Sequence, residues 1–245
     1  MTYKLKLKKK KFFYLAEKIK SLPFPLVEKE KINAIFNGFS VEVIDSSNFS
    51  LIYNNGCFGK GSASRSAPNI VRRNKDFPTS DETVHSCETL VLDLEEAFLL
   101  AHFVKTLEIT DIQGNVINNF ELFVKFCELK PNFINCLVAY LYLKYNQWII
   151  KTGIKYGANF LLYKENVRLY HASFVVILAD NLPLMTRSIQ VIQRVAESAD
   201  KDVMVLQVIK PVDLDITDLN QVFSRLTEFK VIEIVLKRFD ISRNN

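Results

Sequence analysis

The twenty residues KYGANFLLYKENVRLYHASF, positions 155–174, hold one of the chain's three histidines among tyrosines, lysines and an arginine, with Glu165 the sole carboxylate. Tyr163 and His171 lie on either side of the polar run KENVR, which suits a hairpin turn. With that turn centred near Val167, the two side chains face each other on paired strands, their Cβ atoms about 4.5–5.5 Å apart. A phenol and an imidazole at that separation can straddle one phosphodiester. The chemistry this suggests is RNA cleavage without a metal, in which the ribose 2′-hydroxyl attacks the adjacent phosphorus. One group must take the 2′ proton, a second must protonate the departing 5′ oxygen, and a cation must balance the charge on the phosphorane oxygens. An imidazole of ordinary pKa, about 6.5, suits the acid. A phenol, with a pKa of about 10, serves as base only where neighbouring cations lower it. DNA has no 2′-hydroxyl and could not be cut this way.

Other residues of the right type lack partners. Tyr170, adjacent to His171 on an expected strand, points to the opposite face, and Tyr156, before Gly157, reads as structural. His102 falls on an apolar helix, His85 in a polar loop, and Trp148 at the head of a strand, where it reads as core. The loop GCFGKGSAS has the glycine spacing of a phosphate-cradling loop at Gly56 and Gly61, but Ser62 and Ala63 follow where Lys and Ser or Thr are required. Nucleotide binding is therefore excluded. The same loop could instead present Lys60, Arg65 and backbone N–H groups to an RNA phosphate.

The elements that must position these groups follow from periodicity. A helix is expected after residue 12, and the second half of INAIFNGFSVEVID alternates as a strand ending at Asp45. Residues 54–69 are turn or loop, 90–104 a strand running into a helix, and the stretch around Pro131 two helices broken near Lys130. After Trp148 the chain turns to short apolar runs, with LYHASFVVILAD read as one strand through His171. Within them, Met185, Ile189, Ile192 and Val195 recur at helical spacing. The fold class is α/β (α+β): an N-terminal mixed α/β domain over 1–130 and a C-terminal mixed β-sheet domain flanked by helices over 131–245.

The bulk composition allows such a pair. The chain has 245 residues, 49% hydrophobic and 24% charged, enough for one large domain or two smaller ones, and its net charge of +5 permits a polyanionic partner. Cys57, Cys87, Cys127 and Cys136 show no CxxC spacing, and with three scattered histidines they do not compose a zinc site. They read as reduced thiols of an intracellular protein. The N-terminal stretch lacks a signal-peptide core, and no run reaches the roughly 18 apolar residues of a membrane span. Lys8 to Lys11 read as a nuclear-import signal, an RNA-touching arm or a basic helix start.

The segments GCFGKGSASRS, EEAFLLAHFVKTLEI, YNQWIIKTGIKYGANFLLYKENVRLYHASFVVIL, RVAESADKDVMVLQVIKP and VIEIVLKRF occur in an order that resembles the tRNA-splicing endonuclease family, most closely its eukaryotic subunit cutting the 5′ splice site. The resemblance spans about residues 50–240 and is strongest over 147–210. It implies a tyrosine base, a histidine acid and a transition-state lysine, which map onto Tyr163, His171 and Lys201. Lys201 follows Arg194 by two turns in RVAESADK as the family pattern requires, and Lys210, before Pro211, fits less well. The family's cation–π clamp on a flipped intron base maps onto Arg194 and Phe239, with phenylalanine where tryptophan is usual. Asn159 stands where relatives carry aspartate, so a lost structural contact is expected there.

The resemblance further implies cleavage of precursor tRNA at the 5′ splice site, leaving a 2′,3′-cyclic phosphate and a 5′-hydroxyl, with no metal and no cofactor. The implied assembly is a heterotetramer with a second catalytic subunit and two structural ones. The expected location is the nucleus or, alternatively, the cytoplasmic face of the mitochondrial outer membrane. RNA binding should weaken steeply with salt. The competing readings are the paralogous 3′-site subunit, which carries the same triad, and a non-catalytic structural subunit, which has no reason to keep it. A metal-dependent nuclease would need clustered carboxylates, and the β-rich half has none.

Overall fold

The computed structural model describes residues 31–64, 68, 88–164, 167, 170–179 and 186–236, with only the backbone described for Ser50 and residues 186–188. In it the chain divides into two units between Ile134 and Asn135. In the first unit, the alternation of Ile32, Ala34 and Phe36 makes a strand of a stretch not read as one from sequence: β1 (Ile32–Phe36) pairs antiparallel with β2 (Val41–Val43). The turn is made by Asn37 and Gly38, with Gly38 at φ +93° and the Asn37 side chain accepting from the Phe39 and Ser40 N–H groups. The chain continues through helix α1 (Phe49–Asn54), β3 (Lys60–Gly61), β4 (Leu90–Leu92), α2 (Leu94–Phe98), β5 (Leu107–Thr110) and α3 (Asn119–Leu129). The sheet runs β3-β4-β2-β1-β5 and is mixed, because β1 and β5 are parallel. Its core is aromatic: Phe49, Phe58, Phe98, Phe123, Phe126 and Phe133 are fully buried, and Phe126 meets Phe133 edge-on at 5.4 Å.

Buried carboxylates organise the loops of this unit. Glu96, in the first turn of α2, accepts from the Asp93 N–H at 3.1 Å and from the Gly59 N–H at 2.9 Å. It thus satisfies a helix-end donor and fixes the glycine loop together. Gly59 has φ +73°, and a Cβ there would collide with Leu90 and the Val91 carbonyl. Glu95 is almost fully buried and is paired with Lys130. His102, on the π-helical turn Leu99–Phe103 that continues α2, stacks on Phe98 at 5.2 Å. Burial, helped by Lys105, lowers its pKa below the ordinary 6.5. Cys57 and Cys136 are buried cysteines outside any disulfide, and burial beside Glu128 raises the half-buried Cys127 to about 11.

The second unit comprises α4 (Phe133–Tyr145), which begins just before the division, then β6 (Ile149–Thr152), β7 (Phe160–Tyr163), β8 (Phe174–Leu178), α5 (Thr186–Ser198), β9 (Asp202–Ile209), α6 (Leu219–Ser224) and β10 (Lys230–Leu236). The sheet order is β10-β9-β8-β7-β6, antiparallel except between β8 and β9, where α5 makes the crossover. All five residues of β8 are buried, as a central strand covered on both faces requires. On one face Leu161, Val175, Ile177, Val203 and Val205 pack under Ala196 of α5 with Ile192 at the margin. Val195 instead remains 38% exposed, so the buried helix stripe runs Ile192–Ala196 rather than ending at the expected Val195. Trp148 is buried and meets Phe174 edge-on at 5.6 Å.

Asn159 keeps a structural contact where a lost one was expected: its Oδ1 accepts from the Leu178 N–H at 2.9 Å, a bond that needs an amide or carboxylate oxygen alike. Among the described residues no group of three or more His, Cys, Asp or Glu side chains could hold a metal ion, and no helix is long and apolar enough to cross a membrane.

Candidate active site

The hairpin that carries Tyr163 has a different register from the one expected. Phe160, Leu161 and Leu162 pair with Val176, Val175 and Phe174, so the antiparallel register is centred on residue 168 rather than near Val167. Moving the centre by one residue moves each pairing by two. The ladder ends at Leu162 and Phe174: beyond it the Ser173 N–H donates to the Leu162 carbonyl at 2.7 Å, one residue out of that register, as at a β-bulge. His171 is therefore not the direct partner of Tyr163, nor is it mid-strand: β8 begins at Phe174. It sits on the exposed approach to β8, about 6–7 Å along the chain from Ser173. Tyr170 beside it is half-buried.

The parallel pairing on the other side of β8 brings in the lysine. Phe174 pairs with Asp202, and the Asp202 N–H donates to the Ser173 carbonyl at 3.1 Å. Leu162, Phe174 and Asp202 thus form one row across β7, β8 and β9, and Tyr163 and Lys201 each stand one residue beyond it at the same end of the sheet, on outer strands whose backbones are about 10 Å apart. Lys201 is held there by the way α5 ends. The Asp200 N–H donates to the Glu197 carbonyl at 2.9 Å and the Lys201 N–H to the Ala196 carbonyl at 3.0 Å, with Asp200 left-handed at φ +59°. This is a Schellman cap, which ties the first residue beyond the turn to the helix by main-chain bonds. Its Nζ donates to the Ala199 carbonyl at 2.9 Å and lies 5.4 Å over the Tyr156 ring. Lys210 follows the far end of β9, roughly 30 Å away along the strand, and stands apart from that end of the sheet.

Tyr156 is what sequence reasoning missed. Read from sequence as structural, it ends a 3-10 turn (Ile154–Tyr156) and, like Tyr163, packs at the margin of the core cluster under α5. The cue in sequence was the glycine pair Gly153 and Gly157 bracketing IKY, the latter left-handed at φ +65°. The other candidates stand elsewhere. Arg194 is exposed on the flank of α5 turned away from Ile192 and Ala196. Lys60 is exposed on the edge strand β3 of the first unit, where the neighbouring Gly59 N–H is taken by Glu96. Arg65 and Phe239 lie outside the described residues, as do Lys8 to Lys11, His85, Cys87 and Met185.

The second unit thus brings a phenol and an ammonium to one end of a mixed sheet, with an exposed imidazole on the adjoining strand approach, groups able to move protons and to offset negative charge. Residues 133–217 match the family model described as tRNA intron endonuclease, catalytic C-terminal domain. The chain is 32% identical over 165 residues to the tRNA-splicing endonuclease subunit Sen2 of Mus musculus, covering 64% of this chain and 35% of that one. It is 31% identical over 196 residues to the subunit of the same name in Gallus gallus (76% and 42%). It is also 31% identical over 102 residues to the tRNA-splicing endonuclease of Methanopyrus kandleri (41% and 56%). The chain spans about a third to two fifths of the length of the vertebrate relatives it matches.

Proposed function

We propose that this chain is the catalytic subunit of a tRNA-splicing endonuclease that cuts precursor tRNA at the 5′ splice site. Tyr163 removes the 2′-hydroxyl proton, the freed oxygen attacks phosphorus, and the bond to the 5′ oxygen breaks as His171 protonates that leaving group. The products are a 2′,3′-cyclic phosphate and a 5′-hydroxyl. Lys201 offsets the charge gathering on the non-bridging oxygens. The observation that carries this reading is that Tyr163 and Lys201, far apart in sequence, stand one residue beyond the row of Leu162, Phe174 and Asp202 at one end of the sheet, with His171 exposed on the approach to β8. The names of the relatives support the substrate, since the matched proteins are called tRNA-splicing endonucleases or subunits of one.

The word subunit in those names supports assembly into a complex, which we read as a heterotetramer with a second catalytic and two structural chains. Arg194, exposed on α5, is then free to reach the site of the other catalytic subunit and stack on an intron base. The test is cleavage of intron-containing precursor tRNA in EDTA by the reconstituted complex, comparing wild type with His171→Ala. Loss of the 5′ cut alone is expected. Loss of the 3′ cut alone would assign the chain to the other site, and unchanged cleavage at both would leave it a structural role.

A further inference from the structure

We propose that Tyr156 is a positioning residue whose ring holds the Lys201 ammonium in place for the reaction, an inference that rests on reading Lys201 as the transition-state cation. A lysine side chain is a flexible four-carbon stem, and its head must be restrained to meet a developing charge. A carboxylate would restrain it at the cost of neutralising it. Among the described residues no carboxylate pairs with Lys201; its Nζ has instead the Ala199 carbonyl at 2.9 Å and the face of Tyr156 at 5.4 Å to the centroid. The carbonyl takes one of the three N–H donors and the ring attracts the cation through its face, so donors remain for phosphorane oxygens.

The platform under the lysine is rigid on its own account. The Tyr156 N–H donates to the Gly153 carbonyl at 2.8 Å, and the Gly153 N–H donates to the Asn159 carbonyl at 3.1 Å. A Cβ at Gly153 would stand 2.7 Å from the Ala158 carbonyl oxygen and 2.8 Å from the Phe160 nitrogen, so the turn closes only on glycine. Tyr156 is half-buried against the same apolar cluster as Tyr163, which fixes the ring's tilt. Both ends of the contact are thereby set by main-chain geometry: the ring by the glycine-bracketed turn, the lysine by the helix cap.

The experiment is single-turnover cleavage of intron-containing precursor tRNA by the assembled complex carrying Tyr156→Phe, Tyr156→Leu, Lys201→Ala, or Tyr156→Leu with Lys201→Ala. Tyr156→Phe keeps the ring and should cleave within about twofold of wild type. Tyr156→Leu should lower the maximal rate about tenfold with little change in the substrate concentration giving half-maximal rate, the size one cation–π contact supports. In the Lys201→Ala background the leucine should add nothing, because a residue that acts only through the lysine has nothing left to act on. A wild-type rate for Tyr156→Leu, a loss in Tyr156→Phe equal to that of leucine, or the same tenfold loss in the Lys201→Ala background would each overturn the proposal. Wild-type cleavage by Lys201→Ala would instead remove the catalytic reading of Lys201 on which it stands.

Discussion

Both units are built on five-stranded mixed sheets, yet they place their polar groups oppositely. In the first, Glu95 and Glu96 are buried and committed to Lys130 and to the Gly59 and Asp93 N–H groups, and His102 lies in an aromatic stack. In the second, Tyr163, Lys201 and His171 gather at one end of the sheet, half-buried or exposed. Side chains used inside the protein are unavailable to a substrate. The contrast separates a unit whose polar chemistry is spent on its own architecture from one that presents it outward, and it explains why the glycine loop that looks most like a phosphate site is an internal clasp.

The sharpest break in this comparison comes from Tyr163→Phe, which removes one oxygen from the outward-facing unit. Cleavage should fall by about a hundredfold or more, the usual size of a general-base contribution, while urea unfolding stays nearly unchanged. Glu96→Ala is the converse. Two N–H groups lose a charged acceptor, so denaturation should show a loss of about 3 kcal/mol, while the catalytic rate of the folded complex is retained. Within the second unit, Asn159→Ala orphans the Leu178 N–H and should cost about 1–2 kcal/mol, whereas Asn159→Asp, keeping an acceptor oxygen, should stay close to wild type in the same measurement.

The smallest effect is one of pH. Because His102 has a pKa lowered by burial, the unfolded chain takes up that proton first as pH falls. Its contribution is therefore complete above the unfolded value near 6.5 and is lost as pH drops through the window below it. Between pH 7 and 5 the urea midpoint of His102→Phe should decline less than that of wild type, and equal slopes would show that the stack is indifferent to charge.

How far these features were legible depends on the distance over which each is determined. The α+β class, the breaks near Pro131 and the strands at 149–152, 160–163 and 202–209 follow from local periodicity, which a sequence displays directly. The strand at Ile32–Phe36 was overlooked although Asn37-Gly38 is a strong hairpin signal. Tyr163 and Lys201 could be named from the family pattern, but their relation could not be obtained by counting. The register of β7 against β8 depends on how the turn between them is made, and a shift of one residue in its centre takes His171 out of the pairing with Tyr163. The approach of Lys201 to Tyr156 depends on packing of α5 over the sheet, to which nothing in IKYG alone testifies.

The parallel pairing of β8 with β9 has a consequence for the order in which the protein becomes competent. Tyr163 and Ser173 are joined by a local hairpin, which forms in microseconds, whereas Lys201 arrives only after α5 has crossed the sheet and β9 has docked, a long-range closure that is slow. A nascent or partly refolded chain can therefore hold the tyrosine and the strand beside it without the cation. If the proposed roles of Tyr163 and Lys201 hold, such a chain would leave RNA uncut during its own synthesis, the topology acting as a timer that withholds activity until folding of that unit is complete.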